Sequence, residues 1–355
     1  MRPIVAISIV SAVVLFFQSK ALHSITTLPT TQYSGTAGET IDSVEEWFAS
    51  SFGFDQVFGT ENTTTTTIKT NASPNNDKPP PRDTWLLDSN SFTPADEHSI
   101  PRIINKIYFQ KGSGFPPRDS MPAGLTAAHR SWKEMNPGYD IRYYDLEQAR
   151  RYLRQHFNPV FLRAFDCLPA FAAKSDLFRM TLLYREGGWH SDWKQVCLEK
   201  YVLQNITETT DFYADYDMWE SDDFFKHKCV QNAFVGSKPK HPIIETMLEM
   251  ILINIQTSRY SGSALDATAT CIFGRAIHVS EEERNSQWFS QVAGNFINDP
   301  IHGGAFQFAG KTVVKHKCDD CGGHNQDWGQ LGNNYLELYK QRNFYCQDAA
   351  SLFIV

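Results

Sequence analysis

FAAKSDLFRMTLLYREGGWHSDWKQVCL, Phe171 to Leu198, decides how the rest of the chain is read. From Phe171 to Arg185 there is no Gly or Pro, and Ala173, Leu177, Met180 and Tyr184 recur at helical spacing. The spacing predicts a helix with one buried face. Its polar face carries Asp176 and Arg179, three residues apart and therefore stacked on one side, where a carboxylate and a guanidinium can share a ligand. Gly187 and Gly188 end the helix, since glycine takes the left-handed cap without steric cost. A strand with period two then sends His190, Asp192 and Lys194 to one side and Trp189, Ser191 and Trp193 to the other. An Asp/Arg pair standing alone at this spacing is commonly a solvated salt bridge. Here it runs into paired glycines and a strand with a central acid.

Before this stretch the chain changes character twice. Residues 1–24 hold Arg2 and then an uncharged, mostly apolar run to Ser19, shorter than the roughly 20 residues that span an average bilayer. Two readings fit: a cleaved signal peptide ending near Ser19-Lys20-Ala21, and a type II signal anchor of the Golgi, where thin membranes accept short spans. Either directs the chain into the secretory pathway, as a Golgi membrane protein or, if the leader is cleaved, as a secreted one. Residues 25–99 are rich in Ser, Thr, Pro, Asn and Asp, with runs at Thr63 to Thr67 and Pro79 to Arg82. Such a segment buries too little apolar surface to offset its chain entropy and is expected to be a disordered stem. Sequons at Asn62, Asn71 and Asn205 suit a secreted glycoprotein.

Residues 100–355 are expected to form one folded domain. Arg102 to Phe109 reads as a buried first strand, Leu125 to Met135 as a helix stopped by Asn136-Pro137-Gly138, and Tyr139 to Asp145 as a second strand. Helices follow at Leu146 to Phe157 and Pro159 to Phe165. Strands alternating with helices argue for an α/β fold built on an open, mainly parallel sheet, with ligands outside the carboxyl ends of its strands. Phe212 to Asp223, acidic and aromatic, reads as a loop over the acceptor side or simply as a solvated loop. The net charge of −7 and the lack of a basic run exclude nucleic acid as the expected partner.

The helix with Ser175-Asp176 and Arg179, then Gly187-Gly188, Asp192 and Cys197-Leu198, resembles the sugar-binding region of glycosyltransferase family 32. That family includes initiation-specific alpha-1,6-mannosyltransferases and is related to the large glucosylating toxins. Asn232 to Pro242 (NAFVGSKPKHP) resembles a second segment of the family. The resemblance implies a GT-A-like single catalytic domain that moves a hexose from a nucleotide-sugar donor to a glycan or lipid acceptor, with retention. It assigns Asp176, Arg179 and Asp192 to donor and sugar binding and to catalysis. Asn232 and Trp328, the latter on a mobile lid, join them on the donor. The chain departs from the family at four places. His190 stands for Tyr, Asn105 for His, and Thr268-Ala269-Thr270 for Thr-Gly-Pro, while Lys194 replaces the second acid of the DXD motif.

That last change bears on the cofactor. The family holds Mn²⁺ with the DXD acids, whereas a protonated lysine cannot coordinate a metal. Two versions follow: the Lys194 ammonium takes the metal's place against the diphosphate, or Asp192 with His190 retains a metal. Two readings from other classes stand beside the enzyme, an inactive glycan- or nucleotide-sugar-binding relative and a secreted structural protein. Seven cysteines in a secretory chain suggest up to three disulfides and one free thiol. His316, Cys318, Cys321 and His324 have zinc-ligand chemistry, but four ligands in so short a span make a cramped cage, and disulfides, including one at Cys346, are the expectation.

Overall fold

The computed structural model describes residues 79–87, 99–112, 114–116, 121–220, 227–284, 294–321 and 333–353. Within the expected domain the elements run β1 (Ile103–Ile107), α1 (Ala123–Met135), β2 (Asp140–Tyr144), α2 (Leu146–His156), α3 (Pro159–Cys167), α4 (Phe171–Glu186), β3 (Gly188–Ser191) and β4 (Val196–Cys197). They continue α5 (Val202–Thr207), β5 (Phe212–Glu220), β6 (Lys228–Ser237), α6 (Pro242–Gln256), α7 (Thr270–Arg284), β7 (Gly294–Asp299), β8 (Gly303–Phe308), β9 (Lys311–Lys315) and α8 (Tyr335–Lys340).

The described strands form one sheet in the order β2-β1-β3-β6-β5-β7-β8-β9-β4. The expected α/β class is present. Parallel pairing holds β2, β1 and β3 together and recurs between β5 and β7; the other neighbours are antiparallel. Alternation along the strands splits the core in two. Phe212, Ala214 and Val235 join a large cluster with α3, α4, α6 and α7, while Tyr213, Phe234 and Trp189 join a second cluster with Trp132 of α1.

The quoted stretch folds as read, with two differences. Strand β3 stops at Ser191, so Asp192 and Lys194 lie on the turn that follows and not on one strand face with His190. Helix α4 is buried on nearly every side, so Asp176 and Arg179 sit on no solvated polar face. Gly187 caps it at φ 67°, and Gly188 follows at φ 87°. A Cβ on Gly188 would come within 2.9 Å of the Ile103 carbonyl oxygen, so only glycine lets β3 lie this close to β1.

Two expectations are corrected. Phe212 to Glu220 is a strand with Asp215 and Asp217 buried in it, where a loop was expected. Residues 79–87, assigned by composition to the stem, belong to the fold. Trp85 is fully buried against Phe161 and Tyr184, Leu86 bridges to Phe157, and Arg82 is paired with Glu245 and Glu249. The expected disulfides are present: Cys318 is bonded to Cys321, which leaves neither thiol for zinc, Cys167–Cys346 and Cys229–Cys271 are the other pairs, and Cys197 is a buried free thiol. No helix among the described residues is long and apolar enough to cross a membrane. The leader, most of the expected stem, the sequons at Asn62 and Asn71, and Trp328 with its lid lie outside the described residues. The Asn205 sequon is exposed on α5.

Candidate functional site

Helix α4, the turn after β3, strand β6 and the segment before α7 meet at a cavity of about 320 Å³. Asp176, Arg179, Asp192 and Asn232 all line it, so the residues singled out in sequence on three separate elements converge. Arg179 is the hinge of the arrangement. Its Nη1 donates to the Asn232 carbonyl at 2.6 Å and lies 3.2 Å from Asp192 Oδ1, while Nη2 lies 3.3 Å from Asp176 Oδ1. Its Nε also donates to the Ser175 carbonyl. Most of its fork is therefore spent inside the protein, fixing the separation of two acids.

Asp176 is further held from two sides. Asn232 Nδ2 donates to its Oδ1 at 2.9 Å, and Thr268 Oγ1 to its Oδ2 at 2.9 Å. Thr268 is thus a site residue although the triplet around it departs from the family pattern. Burial dominates at this carboxyl and pushes it up to about 6, against the lowering pull of Arg179, Thr268 and Asn232. Asp192 behaves oppositely. Burial resists its charge too, but Arg179 and the His190 hydrogen bond win and hold it well below the usual carboxylate range. The two acids face one space with different proton affinities.

His190 is buried, and burial followed by the charge of Arg179 lowers it to about 4. A neutral ring at pH 7 donates from Nε2 to Asp192 Oδ1, 3.0 Å away. His190 is therefore a holder of Asp192, and the Asp192/His190 pair offered for a metal spends its facing atoms on each other. Among the described residues no three His, Cys, Asp or Glu side chains gather as a metal cage.

The structure separates Lys194 from the described cavity lining. It sits on the turn closed by Gln195 N donating to the Asp192 carbonyl, and its own carbonyl accepts from Cys318 N. The amine against the Asp192 backbone belongs instead to Lys106 of β1. Its Nζ donates to Ser191 Oγ at 2.7 Å and to the Asp192 carbonyl at 3.1 Å, over the Trp132 ring. Burial lowers this lysine to about 7, partly offset by Asp192 and Cys197. Asp217, Gln231 and His316 complete the far wall. The alternation of Asp215 and Asp217 along β5 is the local sign of an inward acid, whereas both sequence readings of this segment, over the acceptor side or solvated, make it a loop.

Three acids facing a partly open cavity can accept hydrogen bonds from several hydroxyl groups, while the guanidinium can donate and the two amides can do both. That is the chemistry of a polyol or sugar ligand.

The family match agrees with that chemistry. Residues 122–219 match the family described as "Glycosyltransferase sugar-binding region containing DXD motif". An uncharacterised glycosyltransferase of Acanthamoeba polyphaga mimivirus is 25% identical over 178 residues, which cover 50% of this chain and 64% of that protein. The chain thus spans less than two thirds of that relative. Among solved structures, the PaToxG glycosyltransferase aligns over 54% of this chain and 76% of its own, at 14% identity and a TM-score of 0.34.

Proposed function

We propose that this chain, whose residues 122–219 are a glycosyltransferase sugar-binding region, transfers a hexose from a nucleotide-diphosphate sugar to a glycan or glycolipid acceptor with retention of configuration. The observation that carries the reading is the single cavity on which Asp176, Arg179, Asp192 and Asn232 converge. In the reaction the acceptor oxygen bonds to the anomeric carbon as the bond from that carbon to the diphosphate oxygen breaks. The electron pair leaves with the nucleoside diphosphate, and the hydroxyl proton passes to solvent.

Asp176, still able to ionise at neutral pH, accepts from sugar hydroxyls, while Asp192 stays charged and binds the donor. The donor's nucleotide runs toward the carboxyl ends of β1 and β3, where ligands of such sheets lie and where Tyr108 and Phe115 pack around Trp193. Charge on the departing diphosphate calls for a preorganised cation. Lys194, outside the lining of the sugar cavity but on the turn that follows Asp192, is our candidate on the diphosphate side: one charge brought to about 4 Å would supply roughly 4 kcal/mol at an effective dielectric near 20. The three cysteine pairs and the exposed Asn205 sequon support a place in the secretory pathway.

The test is hydrolysis of uridine and guanosine diphosphate sugars by wild type, Asp192→Asn and Lys194→Ala, each with excess chelator and with Mn²⁺. Activity that survives chelation and falls in both variants supports the reading. Activity lost to chelator and restored by Mn²⁺ removes Lys194 from its role. Binding without turnover by the wild type leaves the inactive, sugar-binding relative.

A further inference from the structure

A second opening of about 400 Å³ adjoins the first and shares Trp219, Gln231 and His316 with it. Its outer wall comes from the antiparallel end of the sheet: Phe296 and Asn298 of β7, His302 before β8, and Lys317 after β9. Trp219, at the end of β5, exposes 64% of its surface, an unusual state for an indole at the mouth of a cavity. Phe296 is braced by the tilted Phe306 ring at 4.9 Å and edge-on by His316 at 5.3 Å. Gly304 leaves it room, since a Cβ there would lie 2.9 Å from the Phe296 ring. The opening thus offers flat aromatic surface beside a rim of amide, imidazole and ammonium groups, and no carboxylate is among its described lining residues.

We infer that this second opening is the acceptor subsite and that its ligand is a saccharide. The inference rests on the glycosyl-transfer reading above. A pyranose has an apolar C–H face that packs on an indole and a rim of hydroxyls that donate and accept, which matches Trp219 flanked by Asn298, His302 and Lys317. Placement separates it from the nucleotide. The donor's base and diphosphate extend toward β1 and β3, whereas this opening is lined from β5 and β7 and from the residues flanking β8 and β9. A lipid tail calls for a wider apolar face than Trp219 and Phe296 provide. The shared wall of Trp219, Gln231 and His316 is where an acceptor hydroxyl reaches across to the donor sugar.

The experiment is saturation-transfer NMR on the full chain with methyl α- and β-glycosides of glucose, mannose, galactose and N-acetylglucosamine, in the presence of UDP or GDP. At least one glycoside binds the wild type. The His302→Ala/Lys317→Ala double variant, changed only at surface positions of the second opening, weakens it by about tenfold or more while nucleoside diphosphate affinity stays within about twofold. Trp219→Ala loses the glycoside, and Trp219→Phe keeps part of it. If no glycoside binds, or if the double variant binds it like wild type, the acceptor subsite is wrong while the donor reading stands. If the wild type binds no nucleoside diphosphate and hydrolyses no nucleotide sugar, the transfer reading falls and takes this inference with it.

Discussion

Arg179 Nη1 lies 3.2 Å from Asp192 Oδ1, although one residue belongs to a buried helix and the other to the turn after β3. The same guanidinium reaches Asp176 and the Asn232 carbonyl, so one side chain sets the spacing of the two acids. A lysine carries a single point charge and cannot span all three. Arg179→Lys is expected to lower kcat/KM for donor hydrolysis by about 100-fold, or about 2.7 kcal/mol, with the helix content unchanged. Initial rates and circular dichroism check it. Wild-type kcat/KM would mean that this clasp does not set the geometry.

Asp176 gives the site a pH dependence. Its carboxyl is raised to about 6, chiefly by burial, above the ordinary value near 4. An acid raised in the fold favours the folded state below the ordinary value and loses that contribution as pH climbs through about 6. Donor binding runs the other way, because the sugar needs the ionised acid. Donor affinity should therefore rise between about pH 5 and 7, and Asp176→Asn should flatten that rise, lose affinity, and melt higher than wild type at pH 7.5 by a few degrees. Calorimetric titrations and melts across that range test both halves. An Asp176→Asn protein that melts lower at pH 7.5 would show that burial of this acid is fully compensated.

How much of this was legible depends on which rule each residue obeys. Helix α4, its glycine stop and β3 were readable because apolar spacing and the left-handed glycine are local signals. Strand β5 was not, because Asp215 and Asp217 break the rule that acids face water. Asp215 is buried with Tyr213 Oη donating to it, and burial raises its carboxyl far above the usual range. The hairpin between β8 and β9 could have been found. Its two-residue turn, Ala309-Gly310, has φ of 49° and 76°, as a primed hairpin turn requires. Thr268 and Lys106 act through contacts distant in sequence, with Asp176 and with Ser191 and Asp192, which no local pattern encodes.

Lys106 is a second titrating group beneath the site. Burial lowers it to about 7, so the contribution of this lysine to stability is complete only above its ordinary range near 10 and is lost as pH falls through 7. Lys106→Met removes that loss. Its stability gain over wild type, measured by urea unfolding, should be larger at pH 6 than at pH 9 by a few kcal/mol at most. The same variant strips Ser191 Oγ and the Asp192 carbonyl of their donor, so donor kcat/KM should drop even where stability rises. A gain that is equal at both pH values would show that the lysine does not change its charge on folding.

Trp85 makes the last test, on where the folded unit starts. Composition puts residues 79–87 in the stem, yet the Trp85 ring is fully buried, its Nε1 donates to the Pro80 carbonyl, and its faces meet Phe161 and Tyr184 at 5.3 and 5.5 Å. A buried indole removed to alanine typically costs 3–5 kcal/mol. The backbone around it is tied as well, through Asn158 N to the Trp85 carbonyl and Leu87 N to the His156 carbonyl. A chain beginning at Pro79 should therefore melt like full length, whereas one beginning at Ile100 and the Trp85→Ala variant should each melt many degrees lower, since about 1 kcal/mol moves a domain of this size by a few degrees. Because Trp85 does not line the cavity and meets α4 at Tyr184, eight residues beyond Asp176, kcat/KM measured well below the melting point should change little in Trp85→Ala. Equal melting of the two truncated chains would return residues 79–87 to the stem.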